Sequence, residues 1–111
     1  MTDSSIDFLK GTLDLMILKT LARGRELHGF EIAAAIGALS EDVFFVEEGS
    51  LYPALQRMLI KGWVEVEWGR TTEGRRARYY TLTRGGRKQL QAEVERFERV
   101  TSAIARVVHA T

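Results

Sequence analysis

The sequence contains no cysteine, which excludes disulfide bonds, thiol chemistry and cysteine-ligated zinc. It also contains no apolar run close to the ~20 residues that a membrane span requires. The first residues include two acids, Asp3 and Asp7, and lack the apolar core of a secretory signal. We therefore expect a cytoplasmic protein that makes no contact with a membrane.

Groups of residues that carry catalysis are missing as well. The sequence has no glycine-rich phosphate loop and no nucleophile elbow, and Asp14, Glu31 and Glu65 do not form a recognisable acid and base pair. The two histidines, His28 and His109, lie far apart and have no carboxylates at a ligand spacing. The sequence predicts a protein that is not an enzyme and that binds no metal or cofactor.

A large net charge is also absent, since sixteen Lys and Arg oppose fifteen Asp and Glu for a formal charge of +1. The distribution of charge is nevertheless uneven. Between residues 70 and 88 there is one acid, Glu73, and the basic side chains are Arg70, Arg75, Arg76, Arg78, Arg84, Arg87 and Lys88. Acids concentrate instead between residues 41 and 48 and in the C-terminal segment. Such a distribution is typical of a protein that presents one basic face to phosphates.

The one proline, Pro53, lies in a segment that predicts a helix with two different faces. Ser50 is suited to cap this helix, and Pro53 falls where a missing N–H costs little. On a period of 3.6, one face carries Leu51, Leu55, Met58 and Leu59. The opposite face carries Pro53, Gln56, Arg57 and Ile60, with Tyr52 on the flank. We expect the first face to pack in the core and the second to be free for a partner.

The residues after Gly62 predict a β-hairpin. Residues 63–68 and 78–82 alternate with a period of two, and the connecting residues include Thr71, Thr72 and Gly74, which favour a turn. The hairpin would be a wing with a basic tip. We interpret Trp63 and Trp68, at the ends of its first strand, as packing residues rather than as stacking platforms for single-stranded nucleic acid.

The remaining helices and a further strand are predicted from shorter segments. Residues 13–22 predict a first helix that ends at Gly24, and its apolar side chains occupy more than one stripe, which indicates burial on two sides. Residues 27–36 predict a second helix. Phe44, Phe45 and Val46 predict a short strand that leads into the third helix. Thr83 is suited to cap a final helix.

The final helix carries an apolar seam whose residues are spaced four, three, four, three and four apart. They are Leu90, Val94, Phe97, Thr101, Ile104 and Val108. This spacing is typical of a coiled coil, so we expect the helix to pair with a second copy in a homodimer. The combined pattern predicts a mainly α fold with a small β-hairpin wing. Residues 1–83 would form a winged helix-turn-helix DNA-binding domain and residues 84–111 a C-terminal dimerisation helix.

Five segments, in this order along the chain, resemble the PadR-like family of bacterial transcriptional regulators. They are Gly11-Thr12-Leu13-Asp14-Leu15, His28-Gly29-Phe30-Glu31-Ile32, Gly49-Ser50-Leu51-Tyr52-Pro53-Ala54-Leu55, Gly62-Trp63, and Tyr79-Tyr80-Thr81-Leu82-Thr83 followed by Gly86. The resemblance implies a winged helix-turn-helix that binds double-stranded DNA. It also implies a small hydrophobic or aromatic effector, held at or near the dimer interface.

The third helix supplies most of the candidate DNA contacts. We expect Gln56 and Arg57 at base edges, because Gln pairs bidentately with adenine and Arg with guanine in the major groove. Ser50 and Tyr52 are expected at phosphates, where the helix N-terminus adds partial positive charge. Pro53 lies on the same exposed face.

Basic side chains outside the face of that helix are expected to position the protein on phosphates. They are Lys61 at the end of the helix and Arg75, Arg76 and Arg78 on the wing, with Arg70 beside them. The alternative for such a run of charge is a solvated turn. Tyr79 and Tyr80 point to opposite faces of a strand, so one is expected in the core and the other near DNA. The sequence does not indicate which of the two is in the core.

The sequence thus favours a homodimeric repressor that binds an approximately palindromic operator and is released by a small-molecule effector. Two alternatives remain open. One is a winged-helix module for protein interaction, whose basic wing does not contact DNA. The other is an architectural protein that binds DNA without regard to sequence.

Overall fold

The protein is described by a computed structural model that covers residues 2–111, with side chains from residue 11 onward. The elements are α1 (Thr2–Arg23), β1 (Glu26–His28), α2 (Gly29–Leu39), α3 (Glu48–Ile60), β2 (Val64–Arg70), β3 (Arg76–Leu82) and α4 (Arg84–Val108). The expectation of a mainly α fold with a β-hairpin wing is confirmed, because β2 and β3 form an antiparallel hairpin in the register Val64 to Leu82 through Arg70 to Arg76.

The sheet has a third strand that the sequence analysis missed. Strand β1 pairs antiparallel with β3, so β3 lies between β1 and β2. The strand expected at Phe44 to Val46 is wrong, since residues 44–47 have no regular structure. Aromatic and β-branched residues favour a strand, but a strand also needs a free edge to pair with. Residues 44–47 pair with neither outer strand of the sheet, β1 or β2.

The core lies between the first three helices and the inner face of the sheet. It contains Ile17, Leu18, Leu21, Ile32, Ile36, Leu51, Ala54, Leu55, Met58, Val64, Tyr80 and Leu82. Helix α1 supplies three of these side chains and also packs against α4 of the same chain. Part of the second apolar side of α1 is therefore covered within one chain rather than by a partner. Gly24 follows the last residue of α1, as expected.

Helix α2 begins with a reciprocal cap. The backbone N–H of Glu31 donates to Nδ1 of His28 at 3.3 Å, and the backbone N–H of His28 donates to Oε1 of Glu31 at 3.0 Å. Two N-terminal donors that lack helical partners are thereby satisfied. The ring of His28 also meets the ring of Tyr79 edge-on, with 5.4 Å between centroids. His28 thus joins the start of α2 to the wing.

Helix α3 begins two residues earlier than expected, and Ser50 is not its cap. The N-cap is Glu47, whose side chain makes no capping hydrogen bond, and the backbone N–H groups of Ser50 and Leu51 donate to the carbonyl of Glu47. The backbone is extended at Glu47 and becomes helical at Glu48, so the helix has begun before Ser50. Pro53 therefore lies inside the helix and leaves the carbonyl of Gly49 without its helical donor.

Helix α4 begins where the sequence predicted. The hydroxyl of Thr83 accepts from the backbone N–H of Gly86 at 3.0 Å and donates to the carbonyl of Gly62 at 2.6 Å. Gly86 is required there by sterics, since a β-carbon at this position would lie 2.1 Å from the carbonyl oxygen of Trp63. The start of α4 is thereby fixed against the turn between α3 and β2.

Candidate nucleic-acid interface

The exposed face of α3 contains four of the predicted DNA contacts. Ser50, Tyr52, Pro53 and Gln56 are exposed, whereas the residues that face the core are Leu51, Ala54, Leu55 and Met58. Among the residues that the structure describes, the side chain of Gln56 has no hydrogen-bond partner, so its amide group is available to a base edge. The division of α3 into a packed and a free face agrees with the sequence pattern.

Tyr52 is held at the junction between α3 and α2. A β-carbon at Gly29 would lie 2.5 Å from the hydroxyl oxygen of Tyr52 and 2.9 Å from two of its ring carbons, so the ring occupies space that only glycine leaves open. The side chain of Tyr52 remains 44% exposed. Its position beside the start of α2 makes it a rigid flank of the exposed α3 face.

Arg57 differs from the other predicted contacts, because its guanidinium is turned toward α1. Its Nη2 donates to Oδ1 of Asp14 at 2.9 Å, and the two side chains are 38% and 22% exposed. A helical wheel shows which side of α3 Arg57 occupies, but not that α1 places a carboxylate there. The bond makes Arg57 a link between α1 and α3.

The Asp14 carboxylate is kept in surroundings that disfavour its charge. Burial raises the pKa of Asp14 above its ordinary value of 3.8, although the charge and the hydrogen bond of Arg57 oppose this change. Glu93, on α4, adds to the rise in the pKa through its negative charge. Removing charges from water can cost more than their attraction returns, so the bond between Asp14 and Arg57 orients the helices rather than stabilising the fold strongly.

The tip of the wing is a defined turn. The backbone N–H of Thr71 donates to the carbonyl of Arg75 at 2.8 Å, and Gly74 has a φ of 85°, in the left-handed region that favours glycine. Arg70 donates from Nη1 to the carbonyl of Gly74 at 2.9 Å, which closes the tip. Arg75 is exposed on this turn and forms no side-chain bond with described residues.

The remaining wing arginines lie over aromatic rings. The guanidinium carbon of Arg76 is 4.3 Å from the ring centroid of Trp68, and that of Arg78 is 5.7 Å from the ring centroid of Tyr80. Both arginines are exposed. A guanidinium stacked on a ring keeps its N–H donors at its edges, where they can bind phosphate.

The two wing tryptophans have different environments. Trp63 is half-buried and packs against the core, as expected, but the interpretation of Trp68 as a core residue is wrong because it is 62% exposed. Trp68 shares a side of β2 with Val64 and Val66, yet the hairpin extends past the core at that point. The alternation gave the correct side of the strand but not where the core ends.

The assignment that the sequence left open for the two tyrosines is now made. Tyr80 is buried in the core, and burial raises its pKa. Tyr79 is half-buried on the other face, where its ring covers Gly69 and its hydroxyl donates to the carbonyl of Arg70 at 3.0 Å. Tyr79 therefore supports the wing from outside the core.

Lys61 lies between α3 and the wing. Its Nζ is 4.7 Å from the ring centroid of Trp63, and the turn continues through Gly62, with a φ of 78°. The backbone N–H groups of Gly62 and Trp63 donate to the carbonyls of Leu59 and Met58. This tight connection fixes the wing relative to α3.

Within the described part of the chain, no group of three or more histidine, aspartate or glutamate side chains is arranged to hold a metal ion. No described helix combines the length and apolar character that crossing a membrane requires.

Comparison with known proteins gives a consistent result. Residues 17–92 match the model of the transcriptional regulator PadR-like family. The structure superposes on a transcriptional regulator from Clostridium thermocellum with a TM-score of 0.81 and 28% identity, covering 90% of this chain and 96% of that one. It superposes on a PadR-like transcriptional regulator from Bacillus cereus with a TM-score of 0.79 and 26% identity, covering 95% and 99%. An uncharacterized protein from Lysinibacillus sphaericus is 29% identical over 98 residues, which cover 88% of this chain and 89% of that protein.

The burial of Asp14 leads to a prediction about pH. Because its folded pKa is raised, the ionised carboxylate opposes folding above that pKa, and this opposition disappears as the pH falls below the unfolded pKa. As the pH falls from about 7 to about 4, the wild type should therefore gain stability relative to Asp14→Asn. Urea unfolding of both proteins across that range measures the difference.

The control for this prediction is Glu95→Gln, which removes an exposed carboxylate of α4 and should leave the pH dependence of unfolding close to that of the wild type. A loss of wild-type stability relative to Asp14→Asn on acidification would contradict the prediction, since it would mean that the attraction of Arg57 outweighs burial.

Proposed function

Because the chain belongs to the PadR-like family of transcriptional regulators, which bind DNA and are not enzymes, we propose that it is a homodimeric repressor of an approximately palindromic operator. The observation that supports this most is the exposed face of α3, where the side chain of Gln56 has no hydrogen-bond partner among the described residues. This face lies beside a wing with exposed Arg75, Arg76 and Arg78. In this proposal α3 enters the major groove and the wing contacts phosphates.

The candidate contacts have separate roles in this proposal. Gln56 contacts a base edge, and Ser50, Tyr52 and Pro53 fit the first turn of α3 against the backbone of the duplex. Arg57 keeps α3 oriented on α1 through Asp14 and reaches a base only if DNA displaces that carboxylate.

The basic residues of the wing supply attraction that does not depend on sequence. Arg75, Arg76 and Arg78 lie on phosphates, and Lys61 adds a further cation near the end of α3. Their contribution should fall with salt because each neutralised phosphate releases counterions.

The proposed dimer rests on an apolar face of α4 that one chain leaves uncovered. Phe97 and Ile104 are 47% and 49% exposed, Val108 is 67% exposed, and Thr101 lies in the same row. The row continues the four-and-three spacing of a coiled coil.

We propose residues 1–83 as the DNA-binding domain and residues 84–111 as the dimerisation helix. The first turns of that helix also anchor it to its own domain, since Leu90 packs against the core and Val94 is half-buried. The free part of the seam thus begins near Phe97.

An effector at the dimer interface fits the same region. In one chain the space between α1 and the seam is a cavity of about 120 Å³, lined by Leu15, Phe97 and Ile104 among others. Sites for drug-sized ligands have volumes of roughly 300–1,000 Å³, so a second chain would have to complete this one. A small hydrophobic or aromatic molecule held there would release repression by changing the spacing of the two α3 helices.

The DNA-binding proposal predicts a specific effect of Gln56→Ala. Fluorescence anisotropy would compare a duplex from upstream of the protein's own gene with a shuffled duplex at near-physiological salt. We expect preference for the true duplex, and a loss of about 1–3 kcal/mol of that preference in Gln56→Ala, because a bidentate base contact is removed.

The matched control is Gln91→Ala, which removes an exposed glutamine from α4 and should leave both affinities unchanged. Equal affinity of the wild type for both duplexes would argue for architectural binding or for an operator elsewhere. Absence of binding to any duplex, including sequences selected from a random pool, would support the protein-interaction alternative.

The dimer proposal predicts that Ile104→Lys dissociates the protein, since a charge would be placed at the centre of the seam. Sedimentation equilibrium should give a dimer for the wild type and a monomer for this variant, with an unchanged circular dichroism spectrum. Ala92→Lys places the same side chain on an exposed position of α4 outside the seam and should remain dimeric. A monomeric wild type, or a dimeric Ile104→Lys, would contradict the proposed interface.

A further inference from the structure

A cavity of about 780 Å³ lies between α2, the loop of residues 42–47 and the first turn of α3. Its base on α2 consists of small residues, Ala33, Ala34, Gly37 and Ala38. Because these side chains are short, α2 does not fill the space between itself and the loop. The cavity is separate from the α4 seam, none of whose residues line it.

Aromatic rings surround this base. Phe30, Phe44, Phe45 and Tyr52 all line the cavity, and Phe30 and Phe45 are 77% and 85% exposed. Large exposed apolar side chains in contiguous groups mark binding surfaces on soluble proteins. Their arrangement around a concave base offers stacking surfaces to a ligand that itself carries aromatic rings.

The loop that carries two of these rings is held in place before any ligand arrives. The hydroxyl of Ser40 donates to the carbonyl of Gly37 and accepts from the backbone N–H of Phe44, each at 3.1 Å. The backbone N–H of Asp42 donates to the carbonyl of Gly37 at 2.8 Å. A site whose walls are already ordered loses less entropy on binding.

The charge of the cavity selects among occupants. Three acidic residues, Asp42, Glu47 and Glu48, line it, and no lysine, arginine or histidine does. A phosphate inside the cavity is therefore disfavoured, because each charged residue that lines it is acidic. A positive charge would be attracted by the same carboxylates.

We propose that this cavity binds a lipophilic monocation that carries aromatic rings. The rings would lie among Phe30, Phe44 and Phe45, and the positive centre would face the carboxylates. The volume lies within the roughly 300–1,000 Å³ of sites for drug-sized molecules. The site is distinct from an effector site at the α4 seam and does not require that the chain bind DNA.

A connection to the proposed regulator would run through Tyr52. Its ring lines the cavity and packs against Gly29, and it also lies on the exposed flank of α3. A ligand and DNA that both contact this side chain would alter each other's affinity by the same factor.

The test uses two ions of the same shape and opposite charge. Isothermal titration calorimetry of the full chain, without DNA, would measure binding of tetraphenylphosphonium and tetraphenylborate. The basic wing can attract the borate outside the cavity, so binding in the cavity has to be separated from the total. Ala34→Phe places a large side chain in the cavity from an exposed position, and the binding that this variant removes is the binding in the cavity. We expect that part to be at least about tenfold tighter for the phosphonium.

Three variants locate the site. Ala92→Phe, an exposed alanine of α4 replaced in the same way, should leave phosphonium affinity unchanged. Asp42→Asn/Glu48→Gln should lower it about tenfold, and the pair Glu95→Gln/Glu98→Gln should not. Asparagine suits the left-handed backbone of Asp42, where φ is 65°.

Three results would overturn the proposal. Equal binding of both ions in the cavity would show that its carboxylates do not select a cation. Full phosphonium affinity in Ala34→Phe, with loss in Phe97→Ala, would place the ligand at the α4 seam. Absence of phosphonium binding would show that the cavity has another occupant or none. Because DNA is omitted, none of these results depends on the proposed repressor function.

Discussion

The bond between Asp14 and Arg57 is a polar contact that links the outer side of α3 to α1, beyond their shared core. It joins the exposed half of α3 to α1, whose inner side chains Ile17 and Leu18 lie in the core. Burial raises the pKa of Asp14 despite the adjacent guanidinium, so the bond adds little net stability. It adds a directional contact to the apolar packing of Leu51, Leu55 and Met58, which holds α3 on the core.

In the proposed dimer, helix α1 would connect the DNA-reading helix with the subunit interface. One side of it holds α3, and another lies beside the α4 seam, where Leu15 and Phe97 line the same small cavity. In the proposed dimer, any change at the seam would reach α3 through α1. The wing is tied to α3 by the turn at Gly62 and to α4 by the cap at Thr83, so the two parts of the proposed DNA surface are held together.

The sequence predicts what depends on neighbouring residues. The buried face of α3, the hairpin and the cap at Thr83 follow from periodicity and local hydrogen bonding. It fails where distant segments decide. Strand β1 pairs with the distant β3, Phe44 to Val46 pair with no strand, and Asp14, forty-three residues away, determines the direction of Arg57. The small-residue base of the cavity was likewise invisible until α2 and the loop were placed together.

Hydroxyl-radical footprinting of a bound operator would show whether two copies of α3 enter successive major grooves. We expect two protected segments on one side of the duplex, with centres about one helical turn apart. A single protected segment of half that extent, unchanged as the protein concentration rises, would contradict it, because one chain would then account for the whole interaction with DNA.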